Sequence, residues 1–324
     1  MMNELALAES IETGYGIANF SLHALNSDTG KHIFRVEQAS GQKLILRVYP
    51  LNQNEKLQNL ITVLSFLEDC CYPAERIISA VNGDSITRHN GWQLLMTTYI
   101  EGTSADYTLP ALRSLAAVLG RLHALCASPQ GNGKEMLPVA EMLPSREIAY
   151  ALTQLTSAKP LLPRNLYHRY DVLIAALQNV DLCDDLPTAV IHNDCHPANA
   201  VHISTGQVIL LDWEGAGSGP AVIDVGFLLA SCDTESPWTP PLPPDPARVI
   251  ALVDGYCQHH VLTHAELERL PDAIRFRAIV FGACSFASAI KEHGSDDGSD
   301  WWWRRYKAAE DIAERARKRF ERYL

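Results

Sequence analysis

The segment Val190-Ile191-His192-Asn193-Asp194-Cys195-His196-Pro197-Ala198-Asn199-Ala200-Val201 holds the residues best suited to chemistry. Within it His192, Asp194 and Asn199 are spaced His-x-Asp-x-x-x-x-Asn, and Asp212 follows at the end of the apolar run Val208-Ile209-Leu210-Leu211. Ser204-Thr205-Gly206-Gln207 has turn composition, so a hairpin of 200–203 and 208–211 is expected. A hairpin sets its open ends side by side. Asn199 enters where Asp212 leaves, so an amide oxygen and a carboxylate converge on one cation. Mg²⁺ takes oxygen ligands and keeps several waters, so Asn199, Asp212 and nucleotide phosphates would suffice to hold it. Asp194 then faces an acceptor hydroxyl as base or positioning group, while His192 braces the loop through hydrogen bonds. The chemistry these residue types suit is phosphoryl transfer.

The spacing is that of the protein-kinase catalytic loop. More closely, the segment resembles the aminoglycoside phosphotransferase, choline kinase and homoserine kinase superfamily, whose loop usually reads His-Gly-Asp-hydrophobic-His-Pro-x-Asn. That family's next signature, Asp-Trp/Phe-Glu/Asp followed by Gly-Pro-x-x-x-Asp, is matched by Asp212-Trp213-Glu214 and by Gly219-Pro220-Ala221-Val222-Ile223-Asp224. The resemblance implies an α+β, bilobal protein-kinase-like fold and an ATP- and Mg²⁺-dependent kinase acting on a small-molecule hydroxyl. It makes Asp194 the catalytic aspartate within the His192 loop, Asn199 and Asp212 the metal ligands, and Asp224 a structural carboxylate beneath the loop. The acceptor it implies is an amino alcohol such as homoserine, which the C-terminal sequence resembles most, or an aminoglycoside. Two positions depart from the pattern: Asn193 replaces glycine and Cys195 replaces a larger apolar residue.

The nucleotide end is less sharply marked. Arg47, in Leu44-Ile45-Leu46-Arg47-Val48-Tyr49, stands where protein kinases place a phosphate-binding lysine; a guanidinium holds phosphate oxygens bidentately. The bland alternative is a strand-surface arginine. Its expected partner is Glu55, the acidic residue near the start of the next helix. Gly14-Tyr15-Gly16-Ile17-Ala18-Asn19 is the expected phosphate-covering loop, and Leu95–Gly102 resembles the family hinge, with adenine contacts at the Thr98 carbonyl and the Ile100 amide. Leu119-Gly120-Arg121-Leu122-His123-Ala124 resembles the family helix ending in Leu-His, with His123 bracing rather than reacting.

The elements that must position these groups follow from periodicity. Residues 32–38 and 42–49 are β-rich and joined by Ala39-Ser40-Gly41, which reads as a hairpin. Leu57, Leu60, Ile61, Leu64 and Leu67 form a helical stripe. Short strands are expected near 74–81 and 92–100, and helices over 112–124, 145–179 and in three segments after the proline-rich stretch 237–246. This gives a small β-rich N-terminal lobe, residues 1–100, for the nucleotide, and a larger helical C-terminal lobe, residues 101–324, for the catalytic loop, metal and acceptor.

Composition narrows the classes. A formal charge of −11 argues against nucleic-acid binding. The apolar run near 279–290 is interrupted by Gly282 and serines, so no membrane span is expected. The first residues lack a basic cluster, and the eight cysteines contain no C-x-x-C pair, both of which fit a cytoplasmic chain. Acceptor-pocket candidates are Asp233, Glu235 and Trp238, and a second cluster of Glu292, Asp296, Asp297, Asp300 and Trp301-Trp302-Trp303, whose acids and rings would suit a cationic amine. Against that, the same residues would simply cap and pack the last helix. Three rival readings remain: a nucleotide-binding pseudokinase, a protein-serine kinase, and a metallohydrolase using His192, Asp194 and His196. The second lacks an Ala-Pro-Glu segment after Asp212, and the third leaves Asn199 and Asp212 without a role.

Overall fold

The structure is a computed structural model that describes residues 4–25, 32–125, 139–231, 245–296 and 299–324. Two compact units divide the chain, Met1–Gly102 and Thr103–Leu324.

The first unit opens with helix α1 (Glu4–Tyr15), which sequence reading did not anticipate. Leu7, Ile11 and Tyr15 recur every fourth residue and are buried, so α1 docks through a single stripe. Strands β1 (Phe20–Leu25), β2 (His32–Gln38), β3 (Lys43–Pro50), β4 (Ile86–His89) and β5 (Trp92–Thr98) form an antiparallel sheet of order β1-β2-β3-β5-β4, with helix α2 (Asn54–Asp69) after β3. The expected hairpin is present: Gly41 adopts φ 83° in its turn, which suits a residue without Cβ. Alternation on β3 buries Leu44, Leu46 and Val48 in one core with Leu94 and Met96. Arg47 therefore points to the other face, where register brings Thr97 of β5 to the same side. Residues 74–81 form no strand; Ile77 makes one isolated bridge to Thr97. The expected glycine loop is also different. Gly14 and Tyr15 belong to α1, and a Cβ on Gly14 would run into Thr87, so this glycine serves close packing.

In the second unit β6 (Thr103–Ser104), β8 (Ala200–His202) and β9 (Val208–Leu210) form a three-stranded sheet, and β7 (Thr188–Ile191) pairs with β10 (Gly217–Pro220). Around them lie α3 (Leu109–Ala124), α4 (Pro144–Ala158), α5 (Tyr167–Asn179), α6 (Ala221–Ala230), α7 (Pro246–Tyr256), α8 (His264–His293) and α9 (Ser299–Phe320). Helix α6 is buried along its whole length. Helix α8 starts on a capping box, Thr263 with Glu266, and stops at Gly294 in the left-handed region. It is the one helix among the described residues long and apolar enough to cross a membrane, yet 72% of its apolar window is buried within the fold. α8 is a core helix, and α4, α5, α6 and α9 all pack on it.

Candidate active site

The chain leaves β7 directly into the segment 192–199, and one carboxylate holds that exit. Asp224, in the first turn of α6, accepts the His192 amide N–H at 2.7 Å and the Asn193 amide N–H at 3.0 Å. It also accepts from His123 Nε2 at 3.2 Å, and His123 Nδ1 shares a 2.8 Å hydrogen bond with the Tyr256 hydroxyl. Burial alone would push the Asp224 carboxyl up. The hydrogen bond and charge of His123, joined by His192, outweigh it and hold the group below its usual value of 3.8. Depression of a carboxylate means stability that is present above that value and lost as pH falls through the lowered one. His192 is itself buried; its Nε2 donates to the Leu211 carbonyl at 2.9 Å and its ring lies 4.7 Å from that of Trp213. It ties the loop to the far strand of the hairpin.

Asn193 takes φ 69°, and its side chain is fully engaged. Nδ2 donates to Glu147 of α4 at 3.3 Å, Arg277 of α8 donates to Oδ1, and Arg277 also donates to Glu147 at 2.5 Å. Where the resembled pattern has glycine, this chain has a three-residue bridge from the loop to two helices.

Beyond it, Asn199 closes the turn at 197–199 and folds back. Its Nδ2 donates to the Asp194 carbonyl at 3.0 Å and to Asp194 Oδ2 at 2.7 Å, so a cation would be met by the amide oxygen. The Leu211 amide donates to the Asn199 carbonyl at 2.8 Å, and Ala200 pairs with Leu210, so the hairpin sets Asp212 beside Asn199 as expected. Asp212 has φ 59°, a second left-handed residue in the same segment. Such non-glycine outliers cost about 1–3 kcal/mol and concentrate at functional sites. An amide oxygen and a carboxylate are the hard donors Mg²⁺ prefers, so this pair fits the implied metal. His196 Nε2 lies 3.7 Å from Asp194 Oδ1; burial keeps the imidazole below its usual pKa, against the pull of Asp194. For the metallohydrolase reading, no group of three His, Cys, Asp or Glu side chains placed to hold a metal ion occurs among the described residues.

A cavity of about 400 Å³ opens on Asp194 and His196. Its wall is aromatic: Tyr107, Phe227, Phe281, Trp301 and Trp302, with Ser231, Ser285 and Arg305. Phe281 stacks on Trp302 at 4.9 Å and on Phe227 at 5.4 Å, and Arg305 lies over the Trp302 ring at 4.7 Å. Of the expected acceptor residues, Trp301 and Trp302 line this cavity. Asp296 and Asp300 are instead paired with Arg169, which covers the Trp303 face at 4.9 Å. Glu292 accepts from the Ser288 hydroxyl at 2.7 Å. Asp233, Glu235, Trp238 and Asp297 lie outside the described residues. Arg305 carried no sequence signal apart from an i+3 or i+4 relation to the tryptophans.

In the N-terminal unit Arg47 is buried, not a strand-surface residue. The carboxylate opposite it is Glu75: two parallel 2.8 Å hydrogen bonds join the guanidinium to both Glu75 oxygens. Thr97 Oγ1 accepts from Arg47 at 3.0 Å and donates to Glu75 at 2.5 Å. This corrects the expected pairing with Glu55, which is exposed in the first turn of α2. The reason is directional. Arg47 and Thr97 share one face of the sheet, and the extended stretch after α2 crosses that face, carrying Glu75. Thr98 ends β5 with its amide donating to the Arg76 carbonyl and its hydroxyl accepting from the Arg76 amide; Ile100 lies just beyond, half-buried.

Comparison with known proteins agrees with this geometry. The phosphotransferase enzyme family matches residues 21–270. Among solved structures, the amicoumacin kinase hAmiN in complex with AMP-PNP, Ca²⁺ and Ami is 18% identical, covering 96% of this chain and 94% of its own, with a TM-score of 0.69. Choline kinase LicA from Streptococcus pneumoniae is 18% identical over 96% of this chain and 98% of its own, with a TM-score of 0.60. A microcompartment-associated aminopropanol kinase is 16% identical over 99% and 98%, with a TM-score of 0.58. No curated protein matches the chain by sequence. The fold is thus the protein-kinase-like one, with a β-rich first unit and a mainly helical second, and the chain belongs to the phosphotransferase enzyme family.

Proposed function

We propose that this chain is an ATP- and Mg²⁺-dependent small-molecule kinase that transfers the γ-phosphate to an acceptor hydroxyl. The observation that carries the reading is Asn199 and Asp212 at the open end of one hairpin, with Asp194 in the preceding loop bonded to the Asn199 amide and facing the aromatic cavity. Asn199 and Asp212 would hold Mg²⁺, which would supply charge neutralisation at the phosphate oxygens. Asp194 orients the acceptor hydroxyl and takes its proton, and the amide of Asn199 fixes that carboxylate at 2.7 Å. His192 contributes by bracing the loop. In the N-terminal unit Arg47, pre-set by Glu75, serves the phosphates, and the Thr98 carbonyl and Ile100 amide serve adenine. The acceptor is an amino alcohol such as homoserine or an aminoglycoside-like molecule, and the six free thiols among the described residues suit a cytoplasmic enzyme.

ATP consumption with Mg²⁺ against hydroxylated amines, amino acids, sugars and aminoglycosides tests this, with Asp194→Asn as control. Acceptor-dependent turnover should fall by about 10²–10⁴-fold in the variant while ATP affinity changes little. Survival of activity within a few-fold removes Asp194 from its role. ATP binding without turnover on any acceptor favours a pseudokinase.

A further inference from the structure

We infer that the acceptor carries a carboxylate on a flat or apolar body, and that Arg305 is the residue that selects it. This rests on reading the 400 Å³ cavity as the acceptor site of a kinase. Among its described lining residues the only carboxylate is Asp194, which faces the reacting hydroxyl, and the only fixed cation is Arg305. Burial pulls the His196 imidazole below its usual pKa, against the pull of Asp194.

Several features that would bind a cationic amine are engaged within the protein. Aromatic faces attract cations, but Trp302 already carries Arg305 at 4.7 Å, and Trp303 carries Arg169 at 4.9 Å and Lys307 at 5.7 Å. The nearby acids Asp296 and Asp300 are paired with Arg169. Among the described lining residues, a polyamine would meet one carboxylate and a guanidinium of its own sign.

Arg305 is suited to the opposite ligand. Its guanidinium lies over the Trp302 ring, and five N–H donors let it serve an acceptor carboxylate alongside partners within the protein. The paired rings of Phe281 and Phe227 offer the rest of the molecule an apolar wall. In this arrangement a hydroxyl goes to Asp194 and an acid to Arg305.

Three alcohols of one skeleton test it: para-hydroxymethyl benzoate, the corresponding benzamide and the corresponding benzylamine. Binding to the full chain is read from tryptophan fluorescence, since Trp301 and Trp302 line the cavity. The benzoate should bind about ten-fold or more tighter than the benzylamine, the scale of one charged hydrogen-bonded pair. Arg305→Gln should erase that preference, Arg305→Lys retain part of it, and Arg305→Glu reverse it. The half-buried position of Arg305 lets these variants fold. Equal or tighter benzylamine binding, no binding of any of the three, or an unchanged preference in Arg305→Gln overturns the inference. Phosphorylation with Mg·ATP separates the two levels. Carboxylate-selective binding with no phosphorylation of any acceptor in the panel above keeps Arg305 as a carboxylate reader and sinks the kinase reading; phosphorylation of the benzylamine alone keeps the kinase reading and overturns the inference.

Discussion

At Asn193 a side chain takes over what glycine would leave to the backbone. Glycine reaches φ 69° without strain, whereas asparagine there needs local hydrogen bonds to hold it. Arg277 and Glu147 supply them, and the return is a loop anchored to α4 and α8 one residue before Asp194. Asn193→Gly should therefore leave the fold intact, with a stability change within about 1 kcal/mol, because relief of strain offsets a lost hydrogen bond. Its kcat should fall about ten-fold while the KM for ATP stays within two-fold, since what loosens is the aim of Asp194. An unchanged kcat means the bridge is purely structural. Arg277→Met is the contrasting variant: it strands the Glu147 carboxylate and should lower stability by about 3 kcal/mol in urea unfolding, the low end for a broken buried pair because Glu147 is 26% exposed. Glu75 poses the parallel question for Arg47. Glu75→Gln keeps the volume but loses the charge facing a guanidinium that is 9% exposed. ATP affinity should drop by roughly ten-fold or more, one to two charged hydrogen bonds' worth. Full ATP affinity in that variant would remove Arg47 from the phosphate site.

Among the elements, the crossing of α3 and α7 decides whether the loop is held at all. A Cβ on Gly120 would strike the Tyr256 carbonyl, and one on Gly255 would strike the Arg113 carbonyl, so each helix has a glycine where the other's backbone arrives. The same approach brings Tyr256 to His123 and His123 to Asp224. Gly120→Ala should cost about 1–3 kcal/mol, because backbone, not a flexible side chain, is what would have to move. Turnover should fall with it as α7 withdraws Tyr256 from His123. A neutral result in urea unfolding would mean that the two helices can slide apart freely. None of this was readable beforehand: a glycine within a helical stripe looks the same whether it meets solvent or a carbonyl. Helix α1 is a different failure. Leu7, Ile11 and Tyr15 already carried a four-residue spacing, but the paired glycines at 14 and 16 drew attention to loop chemistry instead.

Across the whole molecule, what the sequence made legible was what lies close along the chain. His192, Asp194, Asn199, Asp212 and Asp224 span one hairpin and the helix after it, so residue spacing translated into geometry. Glu75, 28 residues from Arg47, and Arg277, 84 from Asn193, answer to sheet register and helix packing, which no spacing encodes. Arg305 is intermediate, since helical periodicity ties it to Trp302 but says nothing of which face meets the cavity. Net charge works against the site as much as for it. At −11 the protein repels anions at long range, so affinity for nucleotide must come from local groups and a bound cation. This gives a measurable asymmetry. With Mg²⁺, ATP at about 100 times its Kd should stabilise the chain by about 2.7 kcal/mol, a rise in melting temperature of roughly 4 °C for a protein of this size. With chelator in place of Mg²⁺ the rise should largely vanish, since ATP⁴⁻ would then meet Asp212 unshielded. In Asp212→Ala the Mg²⁺-dependent part should disappear, while any remaining shift no longer responds to chelator. A full, chelator-sensitive shift in that variant would show that the cation is held elsewhere, and the hairpin assignment of Asn199 and Asp212 would fall with it.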